Sequence, residues 1–542
     1  MGHIMILNLL IACLAGMGVF WPDNTGAQGT YTSAVLVPGS PFKGLHGLAF
    51  DADGTLHGVS ITGMSLYRID VDTGAVETVI GPPEGVGDDL AFGPDGTVAW
   101  TARDAVHVQD PDGTIRVIAK DIDGVNSINF GPDGRLYFTL IFRADKLFEG
   151  YLDGRPPRLV AEGLKGLNGF EVTADGKAII GPQFFGNAII SVDVETGATE
   201  TLADGIQTPV AVNLLSNGDI IALGYRTGKV FRIDALTRDV REIVQLDGAP
   251  IDNLAINERD TVYISHSSHN GITRLDPGTG EARRIIWGEL SAPGGLTVFE
   301  RDGREMLLAA DAWSHRMIDP TTGRVTVLPA APTVFGSTAI AADRDRIVTT
   351  NVWPNGMVQI VDPQTGAAID SLAGFAAPYG VMLAPDGGVL IADYAADALI
   401  SVSAEEGRPR TVVAKGLGGP VGLTRGDANT VYVTGHTDGT VSAINLSDGA
   451  RTVVRSGLSG PEGLARLPGG MLVIAEVGHK RVVIVDPDNG DMTVAAEGLP
   501  LGFDLGGAGH APALLSGVAV TSDGAIYVTG DADNSLIRLM PD

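Results

Sequence analysis

The stretch GLAFDADGTLHGVSITGMSLYRIDVDTGAVETVIG, Gly47 to Gly81, divides into four β-like pieces. In GLAFD, TLHGVS, SLYRIDV and AVETVIG, apolar and β-branched residues alternate or run for a few positions, and ADG, ITGM and DTG separate the pieces. Such runs mark strands, and the glycine-containing breaks mark tight turns between them. Four antiparallel strands alone cannot bury both faces of their sheet, so the unit needs neighbours.

The neighbours are in the same chain. The phrase x-G-[LVI]-[AT]-[VF] and its variants recurs twelve times, with x at His46, Asp88, Asn126, Asn168, Val210, Asp252, Gly294, Ser337, Tyr379, Val421, Glu462 and Ser516. Most steps are 42 residues, and the last, from Glu462 to Ser516, is 54. Four strands in that period make one propeller blade, and no segment has a sustained helical period. The sequence therefore predicts an all-β chain of tandem β-propellers with twelve four-stranded blades. Two six-bladed rings are expected, because one ring of twelve would leave a very wide axial hole and because the x residues differ in character between the halves. One larger ring is the alternative.

The final unit, from Ser516, holds only three strands, while a spare β segment, TYTSAVLVPG, precedes the first unit. Terminal strands are therefore expected to close a blade. If the spare strand completes the sixth unit, the ring border lies near residue 279; if the twelfth, near 293. The domain reading is a signal segment over 1–29, a propeller over 30–293 and a second over 294–542.

Composition narrows the setting. With 44% hydrophobic residues and 74 glycines, the chain suits a turn-rich β protein and carries no mark of disorder. A formal charge of −28 opposes nucleic acid or an anionic membrane surface as partner. The apolar run ILNLLIACLAGMGVFW, followed by NTGAQG, reads as a secretory signal cut after Ala27. The only cysteine, Cys13, lies in LIAC, which resembles a lipobox and offers a lipid anchor as the alternative. No other stretch is long and apolar enough to span a membrane. A secreted or periplasmic protein follows, with no transmembrane helix once mature, and oligomeric state is left open.

In a propeller the connection entering each innermost strand projects into one mouth of the central channel, so the x residues form a ring around an axis. In the sequence KGLNGFEVTADGKAII, Asn168 is then directed at a shared axial site. Four of the first six x residues, Asp88, Asn126, Asn168 and Asp252, carry hard oxygens, and Asp89 and Asn253 stand beside them. Two carboxylates and two amides suit Ca²⁺ or another divalent cation; without one, the paired carboxylates raise each other's pKa. The plainer reading is a wet channel lined with polar side chains. The second ring offers one carboxylate, Glu462, and no metal is expected there.

The phrases VGDDLAF, GVNSINFGPDG, GLNGFEVTADG and PIDNLAINERDTVYISHSSHNG resemble the calcium-dependent six-bladed propellers: paraoxonase, diisopropyl fluorophosphatase, and the senescence marker protein/gluconolactonase family. The resemblance spans 30–293 and implies calcium held by Asp88, Asn126, Asn168, Asp252 and Asn253. That group usually places its acidic ligand in the first blade, where this chain has His46. The second half resembles generic NHL and streptogramin-lyase repeats, and no functional residue is carried onto it.

For chemistry, His46 and His266 are the candidate general bases, and His269, on the same loop as His266, is a candidate for the substrate pocket. Phe142, Phe184, Phe185 and Tyr225 are candidates for an apolar pocket wall, and Arg143 and Arg226 for anion anchors. His57 is expected to be structural. The connection LPLGFDLGGAGHAPALL, with Asp504 and His510, is either a lid over the second channel or a surface insertion. No G-x-S-x-G elbow, H-E-x-x-H helix or P-loop occurs. The leading expectation is an exported calcium-dependent hydrolase of small lactones or esters. The alternatives are a streptogramin-lyase-like C–O lyase on a cyclic ester and a non-catalytic tandem propeller that binds a ligand or protein.

Overall fold

The computed structural model describes residues 31–542 except 103, 313, 329–335, 353–355, 385, 428, 505–511, 513 and 542. The signal segment, Cys13 and His510 lie outside the described residues. Among those described there is no α-helix, and no helix is long and apolar enough to cross a membrane. They form twelve four-stranded antiparallel sheets.

Blade 1 shows how the sequence builds each one. Its strands are Leu45–Phe50, Leu56–Ser60, Ser65–Ile69 and Val76–Ile80, running in order from the axis outward. The ADG turn closes because Asp51 accepts the backbone N–H of Asp53 and Thr55 at 3.0 and 2.8 Å, and Gly54 takes a φ of 78°. The second strand is buried throughout, whereas the outermost is mostly exposed. Burial thus falls with distance from the axis, as stacking of blades on both faces requires.

The inner strand of blade 1 packs on that of blade 2, Leu90–Phe92, and on that of blade 6, Leu254–Ile256. The inner strand of blade 7, Pro293–Arg301, likewise meets those of blade 8, Ser337–Ala342, and blade 12, Val518–Val520. Each set of six therefore closes on itself. Tyr31–Val37 is the outer strand of blade 12, paired antiparallel with Ser535–Pro541, and Ala282–Ile286 is the fourth strand of blade 6. The chain thus begins in the second ring, crosses to the first before Leu45, and returns between Ile286 and Pro293.

Two devices hold neighbouring inner strands together. A threonine of the second strand accepts the N–H of the residue after x in its own blade and donates to the x carbonyl of the next. Thr434 does so between Gly422 and Glu462 at 2.8 and 2.7 Å, and Thr529 between Gly517 and Gly294 at 2.7 and 2.8 Å, which joins blade 12 to blade 7. The glycine after x is the other device. A Cβ on Gly463 would stand 2.7 Å from the Val518 nitrogen and nearer still to the Ser516 carbonyl oxygen. The inner strands meet backbone to backbone, which is why the repeated phrase is x-Gly.

The long connection after blade 11 reaches the second ring's mouth. Leu515 is buried in one cluster with Tyr379 and Val421, and the Pro512 carbonyl accepts the Tyr379 hydroxyl at 2.6 Å.

Candidate functional site

Each x residue of the first ring is set by the register of its own blade. The backbone N–H of Asp88 bonds the Thr101 carbonyl at 2.9 Å, and that of Asp252 bonds the Ser265 carbonyl at 3.0 Å. Hydroxyls of the same second-strand residues, Thr101 and Ser265, hold the next backbone nitrogens, of Asp89 and Asn253. The side chains at 88 and 252 are thereby aimed inward from opposite sides of blade 1.

There they meet His46. Its Nδ1 lies 3.2 Å from Asp88 Oδ1 and 2.9 Å from Asp252 Oδ2. Asn126 donates its amide to Asp88, and the Ser127 hydroxyl joins the Oδ1 atoms of Asn126 and Asn168 at 3.1 and 2.8 Å. Asn168 Oδ1 also accepts the Gly169 N–H at 2.9 Å. One hydrogen-bonded group therefore contains His46, Asp88, Asn126, Asn168 and Asp252. Ser127, which links the two asparagines, was missed by sequence reasoning; its signal was a serine where most units carry glycine.

Burial opposes charge on His46, but the carboxylates of Asp252 and Asp88 overcome it and push the imidazole up to about 10. His46 is therefore an imidazolium at neutral pH, a proton donor where a general base was expected. Burial also raises the carboxyl of Asp88, against the pull of His46. Asp89 is driven well above the ordinary range by burial and by the charge of Asp88.

Asn253 is not turned to this group. Its amide donates to Asp89 Oδ1 at 2.9 Å and its carbonyl oxygen accepts the Leu254 N–H at 2.6 Å. It supports Asp89, whose other oxygen accepts the Ile128 N–H at 3.3 Å.

Among the described residues no three His, Cys, Asp or Glu side chains form a ready-made metal site. The donors nonetheless fit a hard divalent cation in kind. Two carboxylates and two amides share one axis, and the carboxylates already require a positive charge between them, which His46 supplies. Asp88, Asp252, Asn126 and Asn168 are the residues that would hold such an ion.

The aromatic candidates come together. Phe184 packs edge-on to Phe185 at 5.1 Å, to Tyr225 at 5.7 Å and to Phe142 at 6.5 Å between ring centroids. Phe142 and Phe185 are 63% and 60% exposed, so this cluster presents rings to solvent instead of sealing them between blades. Burial first, then the charges of Asp252 and Asp88, raise the Tyr225 phenol. Arg143 pairs with Asp123 at 2.9 Å and Arg226 lies over the Tyr225 ring at 5.9 Å.

His266 and His269 are elsewhere, and their expected roles need correction. His266 is fully buried; its Nδ1 meets the Gly248 carbonyl at 3.0 Å and its Nε2 the Thr273 hydroxyl at 2.8 Å. Burial pushes it down to about 4. His269 stacks on Trp287 at 4.4 Å, and its Nε2 faces Arg316 of blade 7 at 3.3 Å. Their loop is the one on which the second ring docks, through Arg316 and Ser291, and the polar partners given above for the two imidazoles are Gly248, Thr273 and Arg316, not His46, Asp88 or Asp252. His57 is paired with Asp51 at 2.9 Å, a structural position as expected.

No family model and no curated protein matches the chain. Among solved structures, streptogramin B lyase aligns at 17% identity over 52% of this chain and 95% of its own, with a TM-score of 0.39. A chain of a nidogen/laminin complex aligns at 20% identity over 41% and 98%, with a TM-score of 0.36. The tricorn protease aligns at 13% identity over 92% and 61%, with a TM-score of 0.37. At these levels no functional residue is carried over, and the site stands on its own geometry.

Proposed function

We propose that the first ring hydrolyses small esters or lactones at the axial group, as an exported enzyme that works with a calcium-like divalent cation. The observation that carries this reading is the placement of one imidazole nitrogen within 3.2 Å of two carboxylates, joined by hydrogen bonds to two amides. When bound, such a cation would supply positive charge on the axis and polarise a substrate carbonyl.

The chain's own groups do the rest. Phe142, Phe184, Phe185 and Tyr225 pack the apolar part of the substrate and thin the water around its carbonyl. Where Asp88, Asn126 and Asn168 would hold the cation, Asp252 beside His46 is left to take a proton from the attacking water as the water oxygen bonds the carbonyl carbon. The ester C–O bond breaks, and the His46 imidazolium gives its proton to the departing alkoxide. One water is consumed, and an acid and an alcohol result.

The test is a panel of lactones, aryl esters and phosphotriesters assayed before and after chelation and calcium return. Asp252→Asn and His46→Gln should each lower kcat by about 10²-fold or more, while Phe185→Ala should raise KM with little change in kcat. Full rates in both axial variants would remove the site. Turnover that yields an unsaturated product, with no oxygen from labelled water, would assign the elimination chemistry instead. Saturable binding without turnover would assign a binding propeller.

A further inference from the structure

The mouth of the second ring carries a different arrangement. Glu462 occupies its x position, 2% exposed, with Oε2 accepting the Ser516 N–H at 2.6 Å. Among the described residues no lysine or arginine pairs with it, and the nearest basic group is His436, whose Nδ1 lies 3.7 Å from Oε1. Burial pushes the His436 imidazole down, so it does not neutralise the carboxylate at ordinary pH.

His436 stands beside this acid, and two tyrosine rings follow it in a row. Tyr379 is the x residue of blade 9, and Tyr394 and His436 follow the second strands of blades 9 and 10, the loop positions that hold Phe184 and Tyr225 in the first ring. Tyr379 and Tyr394 are 5.5 Å apart at 62°, and Tyr394 and His436 are 6.5 Å apart at 62°. The Tyr379 hydroxyl is tied to Pro512 and that of Tyr394 meets the Thr437 hydroxyl at 3.1 Å, so both rings are fixed in orientation. Tyr394 and His436 are half-buried and Thr437 is exposed, so this side is open to solvent.

We propose that this mouth is a binding site for an organic ammonium ion, with Glu462 as its counter-charge and Tyr379, Tyr394 and His436 as its walls. Tilted aromatic rings present their negative faces to a cation, and a buried carboxylate with no lysine or arginine partner among the described residues supplies the charge such a cage needs. Burial, reinforced by the charge of Asp531, raises the Glu462 carboxyl well above its ordinary range, a cost that a bound cation removes. The chain's net charge of −28 favours the approach of cations generally, while the rings select an organic one.

The experiment is calorimetric titration of the full chain with choline and, separately, with dimethylbutanol, its uncharged carbon twin. Choline should bind saturably and the alcohol about tenfold more weakly or worse. Glu462→Gln and Tyr394→Leu should each weaken choline by about tenfold, with unchanged circular dichroism. Equal binding of choline and the alcohol, or no binding of either, overturns the proposal. Displacement of choline by calcium chloride at matched ionic strength also overturns it, in favour of an inorganic cation site. The Tyr394 variant keeps the test decisive if the Glu462 variant fails to fold. Activity at the first ring enters none of these outcomes.

Discussion

His46 Nδ1 lies 2.9 Å from Asp252 Oδ2, so one blade's histidine carries the charge for its neighbour's carboxylate. With its folded pKa at about 10, above the ordinary 6.5, the imidazolium adds stability that is fully present below pH 6.5. That contribution is lost as pH rises through about 10. Asp88 and Asp89, held above the ordinary carboxylate range, push in the same direction, because their anions are disfavoured as pH climbs. Heteronuclear NMR of chelator-treated protein should show His46 protonated at pH 8. In Asp252→Asn its pKa should fall, and the loss of thermal stability towards pH 10 should shrink. A His46 resonance that titrates near 6.5 in the native chain would refute the assignment.

Gly463 sits where the inner strands of blades 11 and 12 touch, with Val518 N 2.7 Å from the place a Cβ would take. Backbone cannot retreat as a side chain can, so Gly463→Ala should cost several kcal/mol, roughly the upper range for overpacked sites, or prevent folding. Gly469 has nothing within 4 Å of its Cβ position, and Gly469→Ala should leave stability nearly unchanged. Urea denaturation of the two variants side by side checks the difference.

What the sequence discloses and what it hides follow from how local each feature is. Blades are legible because a turn such as Asp51–Gly54 is closed by its own Asp side chain and the strand pattern repeats with it. The convergence of Asp88, Asn126, Asn168 and Asp252 is legible too, since a fixed register carries position x to the axis in every blade. The charge on His46 is not, because it depends on two distances set by blades 2 and 6. The fate of His266 and His269 is not, because their loop is covered by Arg316, which comes from the other ring. The threonine bridges were missed because a threonine in a strand looks ordinary until its next-blade acceptor is placed beside it.

Thr529 closes the second ring with one hydroxyl, accepting from Gly517 N and donating to Gly294 O at 2.7 and 2.8 Å. Thr529→Val keeps the shape and removes both bonds, leaving a buried N–H and a buried carbonyl without partners. The expected loss is about 2–4 kcal/mol, whereas Thr529→Ser should recover most of it. Guanidinium unfolding with unchanged slope and a lowered midpoint would agree. A valine variant as stable as the native chain would show that water or strand movement replaces the bridge.

Arg316 and Asp311 form a fully buried ion pair at 2.9 Å, and Arg316 also donates to the Ser268 carbonyl of blade 6. Asp311 in turn accepts the N–H of Ser291 and Ala292 on the segment that crosses between rings, at 2.9 and 2.6 Å. The pair therefore fastens blade 6 to blade 7 through the crossing itself. Arg316→Met strands a buried carboxylate and cuts the tie to Ser268, which should cost about 3–5 kcal/mol. Adding Asp311→Asn removes the stranded charge and keeps one of the two oxygens, enough for the Ala292 N–H but not also for that of Ser291, so the double variant should regain part of that loss. Neither variant restores the bond to Ser268, so calorimetry of the double variant should separate into two transitions, one per ring. A single transition with full recovery would mean that the pair adds charge balance alone and that packing, with the Asn270 bonds to Phe42 and Ser291, holds the rings together.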